Sequence, residues 1–456
     1  MTKPLLLKDC MAVYSDGKTL RNYDILINDT VIEKLEKNIQ LTRKEAVVFD
    51  CSTCVVLPGF VNTHHHFYQV LTRNLPQAQN SKLFPWLVYH YDVWKHLTAE
   101  GIYHSTLAAI GELLKTGCTC TTDHHYLYPK GVSEDIPSIQ FEAASRCGMR
   151  FSPTRGSMSL SKKDGGLPPD SVVQEEERIL QESAGIIDRY HDSSPTAMRK
   201  VILAPCSPFS VTNELMRETA RLARKKKVRL HTHLAETEDE TNFCIKRYGK
   251  RPLALMEETE FIGNDVSYAH GIHFTDEELD LLAQTGTAVC HCPSSNMRLG
   301  SGIARVREML DRGITVGVAV DGSASNDASD MLGELRQTLL LQRVRYGADA
   351  LGVREVIKMG TENGAAMFGF GNIGKILPGW TADMAVFDMN RIDYAGSLSD
   401  PVAALLFSGA CHMTRETIVN GKIVVEEGRL LGYDEEDIAA RVNDLAAEML
   451  LKSAQG

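Results

Sequence analysis

Apolar and polar positions fall into two alternating textures along this chain. Over residues 1–57, short β-branched and apolar runs at 5–7, 24–28, 31–34 and 46–49 are separated by turn-rich pieces such as Ser15-Asp16-Gly17 and Asn28-Asp29. The same texture returns at 379–388 and 416–426, where Asn420-Gly421 sits between two β-branched runs and signals a hairpin. The pattern predicts one small β-sandwich built from both termini, residues 1–57 and 376–456. Between them, residues 58–375 alternate apolar runs with amphipathic stretches. Candidate strands lie at 59–64, 118–124, 150–154, 201–204, 228–233, 265–270, 287–291 and 315–321. Helical spacing of apolar positions marks 105–116, 137–147, 171–190, 213–225, 276–285 and 303–312, with further helices at 331–347 and 353–368. Strand–helix alternation repeated eight times predicts a (β/α)8 TIM-like barrel, an α/β fold.

Length and composition narrow the class. At 456 residues, 43% hydrophobic and 24% charged, the chain reads as an ordinary globular protein. A formal net charge of -10 argues against a nucleic-acid partner. The 11 cysteines are odd in number and scattered, which fits reduced thiols better than a disulfide framework. Cys51-x-x-Cys54 has no second pair at zinc-finger spacing and reads as a chance pair. No apolar run reaches membrane-spanning length, and the first residues lack a secretory pattern. The expectation is a cytoplasmic protein with no membrane partner.

Candidate chemistry collects at predicted strand ends, where such barrels carry their active sites. Strand one runs into His64-His65-His66. Side chains alternate along a strand, so His64 and His66 share a face and His65 points away. A histidine pair of this kind can grip a metal ion, or can be a cluster without one. Strand five runs into His231-Thr232-His233, strand six ends at His270 and strand eight at Asp321. Three neutral imidazoles and a carboxylate suit a single divalent cation with an open position for water. Glu236, three residues past His233, can reach the same pocket without binding the ion.

Together these motifs resemble the amidohydrolase superfamily, in its mononuclear aromatic deaminase branch. The matching stretches are Asn62-Thr63-His64-His65-His66, His231-Thr232-His233-x-x-Glu236, Ala269-His270 and Asp321-Gly322-Ser323-Ala324-Ser325-Asn326-Asp327. The resemblance spans nearly the whole chain. It implies that His64, His66, His233 and Asp321 hold one divalent metal, zinc by expectation and iron as an alternative. It also implies catalytic roles for Glu236, His270 and Asp321: Asp321 takes a proton from water, His270 orients the nucleophile and Glu236 protonates a ring nitrogen. Members with two metals carry a lysine at the end of strand four. Here that strand ends Ala204-Pro205-Cys206, which implies one metal. A homo-oligomer is the family expectation.

The resemblance extends to substrate. Gln69 stands where guanine deaminases carry a glutamine that reads the purine edge, and an amide offers both donor and acceptor. Phe84-Pro85-Trp86-Leu87 resembles a loop closed over the ring; Trp86 either packs on substrate or is a core aromatic. Cys206 replaces an arginine of those enzymes, and a small, weakly polar group suits a ring whose N7 carries hydrogen. With 156–159, 165–171 and 293–298, these features resemble deaminases that convert 8-oxoguanine and water to urate and ammonia. Triazine hydrolysis, and deamination of guanine or isoxanthopterin, are the alternatives. Thr122-Asp123-His124-His125-Tyr126 either touches substrate or supports the site. A non-catalytic metal-binding barrel is set aside because Glu236 and His270 accompany the ligands, and a structural zinc site needs no acid beside it.

Overall fold

A computed structural model describes residues 3–133, 135–408 and 412–455. Eight parallel strands follow one another in sequence order around a barrel: Phe60–Asn62, Cys118–Asp123, Arg150–Ser157, Ile202–Pro205, Arg229–Leu234, Val266–His270, Ala288–His291 and Val316–Val318. Each lies within a residue or a few of its expected position. The strands are buried on both faces apart from Arg229, which explains why they read as continuous rather than alternating runs. The first and last strands close the ring through the Thr63 amide, which donates to the Val318 carbonyl at 3.2 Å. The Val320 amide donates to Asn62 Oδ1 at 3.0 Å. Above that closure, Asp321–Gly322 and His65–His66 form a two-residue parallel pair. The seam of the barrel therefore carries Asp321 to the histidines of strand one.

Helices between the strands begin with side-chain caps that their sequences supply. Thr98, Thr212 and Thr275 each accept a hydrogen bond from a backbone amide of the first turn, and Thr275 with Glu278 completes a capping box. The segment expected to be a closing loop is instead a helix, Leu83–Trp94. Its Pro85 sits in the first turn, where no intrahelical hydrogen bond needs the missing N–H. A C-terminal helix, Glu435–Gln455, was not anticipated. It packs on the barrel side, with Arg441 on Glu100 and the Ser453 hydroxyl on the Asp92 carbonyl.

Strands from both termini build the second unit. One sheet of seven strands joins Cys54–Pro58 and its N-terminal neighbours to Met384–Asp388 and the hairpin Glu416–Val419/Lys422–Glu426. The hairpin turns at Asn420 and Gly421, with φ of 50° and 76°, the conformation that this dipeptide favours. A four-stranded sheet formed only by N-terminal strands packs against it, and Leu7, Val13, Ile27, Val56, Met384 and Ile418 share the core between them. Arg150, wholly buried at the base of the third barrel strand, ties the units together. Its Nε lies 2.9 Å from Asp383, and its Nη1 donates to the carbonyls of Thr196 and Ala197. No helix among the described residues is long and apolar enough to cross a membrane. The ten described cysteines are all free and buried.

Candidate active site

The expected residues from strands one, five, six and eight meet at the C-terminal mouth of the barrel. His64 Nε2 and His66 Nε2 each lie 3.3 Å from Asp321 Oδ1, and His66 Nε2 lies 3.1 Å from His233 Nε2. His65 turns away, to the Ser329 hydroxyl at 3.0 Å. All of these side chains are buried.

Hydrogen bonds on the far side of each ring fix what the near side can do. His66 Nδ1 donates to the His124 carbonyl at 2.8 Å, and His233 Nδ1 donates to the Cys206 carbonyl at 2.7 Å. His64 Nδ1 donates to His231 Nε2 at 2.8 Å, and His231 Nδ1 continues to the Ser267 hydroxyl at 2.8 Å. A neutral imidazole has one proton, and in each ring it is spent on the Nδ1 side. Burial lowers the pKa of all three rings, well below the usual histidine range for His64 and His233, and so favours their neutral forms. Three bare Nε2 lone pairs therefore crowd together, those of His64 and His66 facing the Asp321 carboxylate and that of His233 facing His66. His66 and His233 cannot satisfy each other across 3.1 Å, and His64 Nε2 has no hydrogen-bond partner. This is an electron-rich hollow whose donor set and spacing fit one divalent cation with bonds of about 2.0–2.2 Å. Potential ligand atoms group as His64, His66, His124 and His233, and as His64, His270 and Asp321, each set within 4.8 Å.

The segment left open after strand two divides by position. His124 stacks on His233 with ring centres 4.7 Å apart, and donates from Nε2 to the Ala204 carbonyl. His125 is used structurally, donating to the Leu127 carbonyl at 2.7 Å. Tyr126 lines the cavity.

Two residues beside the cluster are set in the left-handed region: His270 at φ 75° and Asp321 at φ 62°. Each costs on the order of 1–3 kcal/mol, and together they aim two side chains across the barrel mouth. His270 Nδ1 bonds Asn296 Oδ1 at 2.9 Å, leaving Nε2 3.4 Å from Glu236 Oε2. Burial pushes the Glu236 carboxyl up to about 7, against the pull of His270. Burial disfavours charge on His270 too, but the carboxylates of Glu236 and Asp321 outweigh it and raise its pKa. Asp321 shows the reverse balance: its carboxyl is held well below the usual carboxylate range despite its burial, so it stays ionised. Glu236 is not on a solvated loop. Glu240, buried in the first turn of helix Glu238–Tyr248, accepts the amides of Ala235 and Glu236 at 2.9 Å each.

A narrow cavity opens beside the cluster, walled by Gln69, Leu83, Trp86, Leu87, Tyr91, Cys206, Phe209 and Leu299. All three residues expected to touch substrate, Gln69, Trp86 and Cys206, line it. Gln69 Oε1 accepts the Ala324 amide at 3.3 Å. Burial pushes the Cys206 thiol up to about 12, so this part of the wall is neutral. Residues that sequence reasoning gave no role are Asn296, Glu240, Ser267, Tyr91 and Ser301, whose hydroxyl lies 3.4 Å from Glu236 Oε1. Asn296 lies in the stretch 293–298 and Ser267 in the sixth candidate strand, 265–270, but neither carries an expected role.

Comparison with known proteins gives the same picture. A profile described as the amidohydrolase family matches residues 55–424. The chain is 46% identical to an 8-oxoguanine deaminase of Pseudomonas aeruginosa, covering 92% of this chain and 93% of that protein. It is 37% identical to an isoxanthopterin deaminase of an unknown prokaryotic organism, over 90% and 88% of the two chains. Zinc-complexed atrazine chlorohydrolase from Arthrobacter aurescens TC1 superposes with a TM-score of 0.92 at 31% identity, covering 97% of this chain and all of that one.

Proposed function

The chain belongs to the amidohydrolase family, and on that premise we propose that it hydrolyses 8-oxoguanine to urate and ammonia. The observation that carries this reading is the meeting of the cluster of His64, His66, His233 and Asp321, the buried Glu236–His270 pair and a charge-free cavity wall containing Gln69 and Cys206. His64, His66, His233 and Asp321 would hold one divalent ion, zinc by the precedent of the related structure. Its Lewis acidity would make a water at the site acidic near neutral pH.

The chain's own groups then divide the proton work. Asp321, ionised and anchored by the Gly322 amide at 2.7 Å, accepts a proton from the attacking water. His270, locked by Asn296, orients that water toward C2 of the ring. Glu236, whose carboxyl burial pushes up to about 7, can hold a proton near neutral pH and donate it to N3 as C2 becomes tetrahedral. A proton passed from Asp321 or Glu236 to the exocyclic amine lets the C2–N bond break, releasing ammonia and leaving a C2 oxygen. Gln69 supplies donor and acceptor to the ring edge. The neutral Cys206 thiol suits an N7 that carries hydrogen, where an arginine would suit the bare N7 of guanine. Buried, unpaired cysteines support a cytoplasmic setting. A homo-oligomer is part of the proposal on the family resemblance.

The test is ammonia release from 8-oxoguanine, guanine, isoxanthopterin and aminotriazines by zinc-loaded protein at neutral pH. Turnover of 8-oxoguanine well above guanine is expected. Turnover of a triazine or pterin alone would replace the substrate and keep the chemistry. Inactivity on all of them, with metal bound, would sink the catalytic reading.

A further inference from the structure

Helix Leu83–Trp94 presents Leu83, Trp86, Leu87 and Tyr91 to the cavity. Tyr91 is 1% exposed, and its hydroxyl has no hydrogen-bond partner among the described residues. A buried phenol left unpaired is costly, and such a group on the wall of a ligand cavity is explained when a ligand completes it. Its surroundings define that ligand. Tyr91 interacts electrostatically with the Cys206 thiol and with the Tyr68 phenol, and Tyr126 lines the same end of the cavity. Burial keeps every one of these groups protonated and uncharged. That end of the cavity therefore offers neutral donors, which suit a carbonyl oxygen rather than an anion.

Resting on the function proposed above, we infer that Tyr91 is the residue that recognises the C8 oxygen of the substrate, by donating its hydroxyl hydrogen to it. In the ring, C8 is bonded to N7. Tyr91 lines the same cavity as Cys206, the group assigned to N7, and interacts with it electrostatically. Guanine carries only hydrogen at C8, so it would leave the hydroxyl buried and unpaired. A missing partner of that kind lowers kcat/KM by about 10- to 100-fold. Tyr91 thus selects for the oxidised purine, while Gln69, Glu236 and His270 act on parts of the ring that both purines share.

The experiment compares wild type with Tyr91→Phe in steady-state turnover of 8-oxoguanine and guanine, and in inhibition by urate and xanthine, which differ in the same C8 oxygen. For Tyr91→Phe, kcat/KM for 8-oxoguanine should fall about 10- to 100-fold while that for guanine changes less than about threefold. The preference for urate over xanthine should fall in parallel. Because the hydroxyl has no partner in the free protein, the variant should melt at the wild-type temperature or above. Unchanged selectivity in an active variant overturns the inference and leaves the proposed function standing. A clear drop in melting temperature also overturns it, since the hydroxyl would then serve the fold. Wild-type protein that leaves 8-oxoguanine untouched removes the proposed function and this inference with it.

Discussion

Gly322→Ala probes how the pocket wall is locked to the metal seam. Gly322 follows Asp321 and pairs with His66 in the two-residue ladder. A Cβ at this position would stand 1.9 Å from Gln69 Oε1 and 2.3 Å from its Cδ. Non-bonded heavy atoms settle near 3.5 Å, so the carboxamide would have to retreat by about 1.5 Å. Gly322 is not in the left-handed region, so its backbone tolerates alanine and the conflict is one of space. The carboxamide is the flexible end of its side chain, and relief should cost only about 1–2 kcal/mol of stability. It would, however, break the contact with the Ala324 amide and move Gln69 off the wall. Losing one polar contact to a buried ring edge is worth about 1.4–2.7 kcal/mol, or about 10- to 100-fold in kcat/KM. The loss should sit mainly in KM, because the cluster and Glu236 are untouched. Ammonia release against substrate concentration reads the effect, elemental analysis checks that metal content is unchanged, and a thermal melt checks the fold. In a Gln69→Ala background the three atoms nearest the added methyl are gone, so Gly322→Ala should then matter less than about twofold. Full activity in the single variant, or an equal loss in both backgrounds, would refute the reasoning.

Asp383→Ala should cost about 3–5 kcal/mol in chemical denaturation, because it strands the buried Arg150 guanidinium and frees the Asn420 amide; a loss under 1 kcal/mol would contradict it. Glu334 is buried with a carboxyl pushed up to about 8 by burial, so the folded chain binds a proton that the unfolded chain has released above about 4.3. Its contribution to stability should therefore weaken as pH rises from about 4.3 to 8, and Glu334→Gln should flatten that slope in melts across the range. A chelator that strips the ion should abolish ammonia release and lower the melting temperature, and one equivalent of zinc per chain should restore both; turnover by protein shown to be metal-free would defeat the assignment of His64, His66, His233 and Asp321.

Much of this arrangement is legible in the sequence because it depends on short-range periodicity. Alternation along a strand sets His64 and His66 on one face without reference to the rest of the chain, and Asn420-Gly421 carries its turn with it. What escapes is whatever depends on partners far away in sequence. The run at 84–87 is expected to be a loop only by its resemblance to one in related enzymes, yet it opens a helix whose inner face lines the cavity. The C-terminal helix Glu435–Gln455 finds its partners some 340 residues upstream, at Glu100 among others. Glu238, Asp239 and Glu240 look like a solvated acidic run, whereas a helix N-terminus favours them and Glu240 folds back to hold Glu236. No residue type at His270 or Asp321 announces a positive φ.

Cys206 shows most clearly why the site is more than its motif. Its thiol is visible in the sequence and suggests a role toward substrate. Its carbonyl is anonymous there, yet it takes the Nδ1 proton of His233 at 2.7 Å and so leaves Nε2 bare for an ion. One residue therefore sets the tautomer of an imidazole in the donor cluster through its backbone and the polarity of the pocket through its side chain. Because the first role is played by the backbone, a substitution that restores a cationic side chain at 206 can alter which purine fits without altering the donor set. The strand end is built so that specificity can change while the chemistry of the cluster is kept.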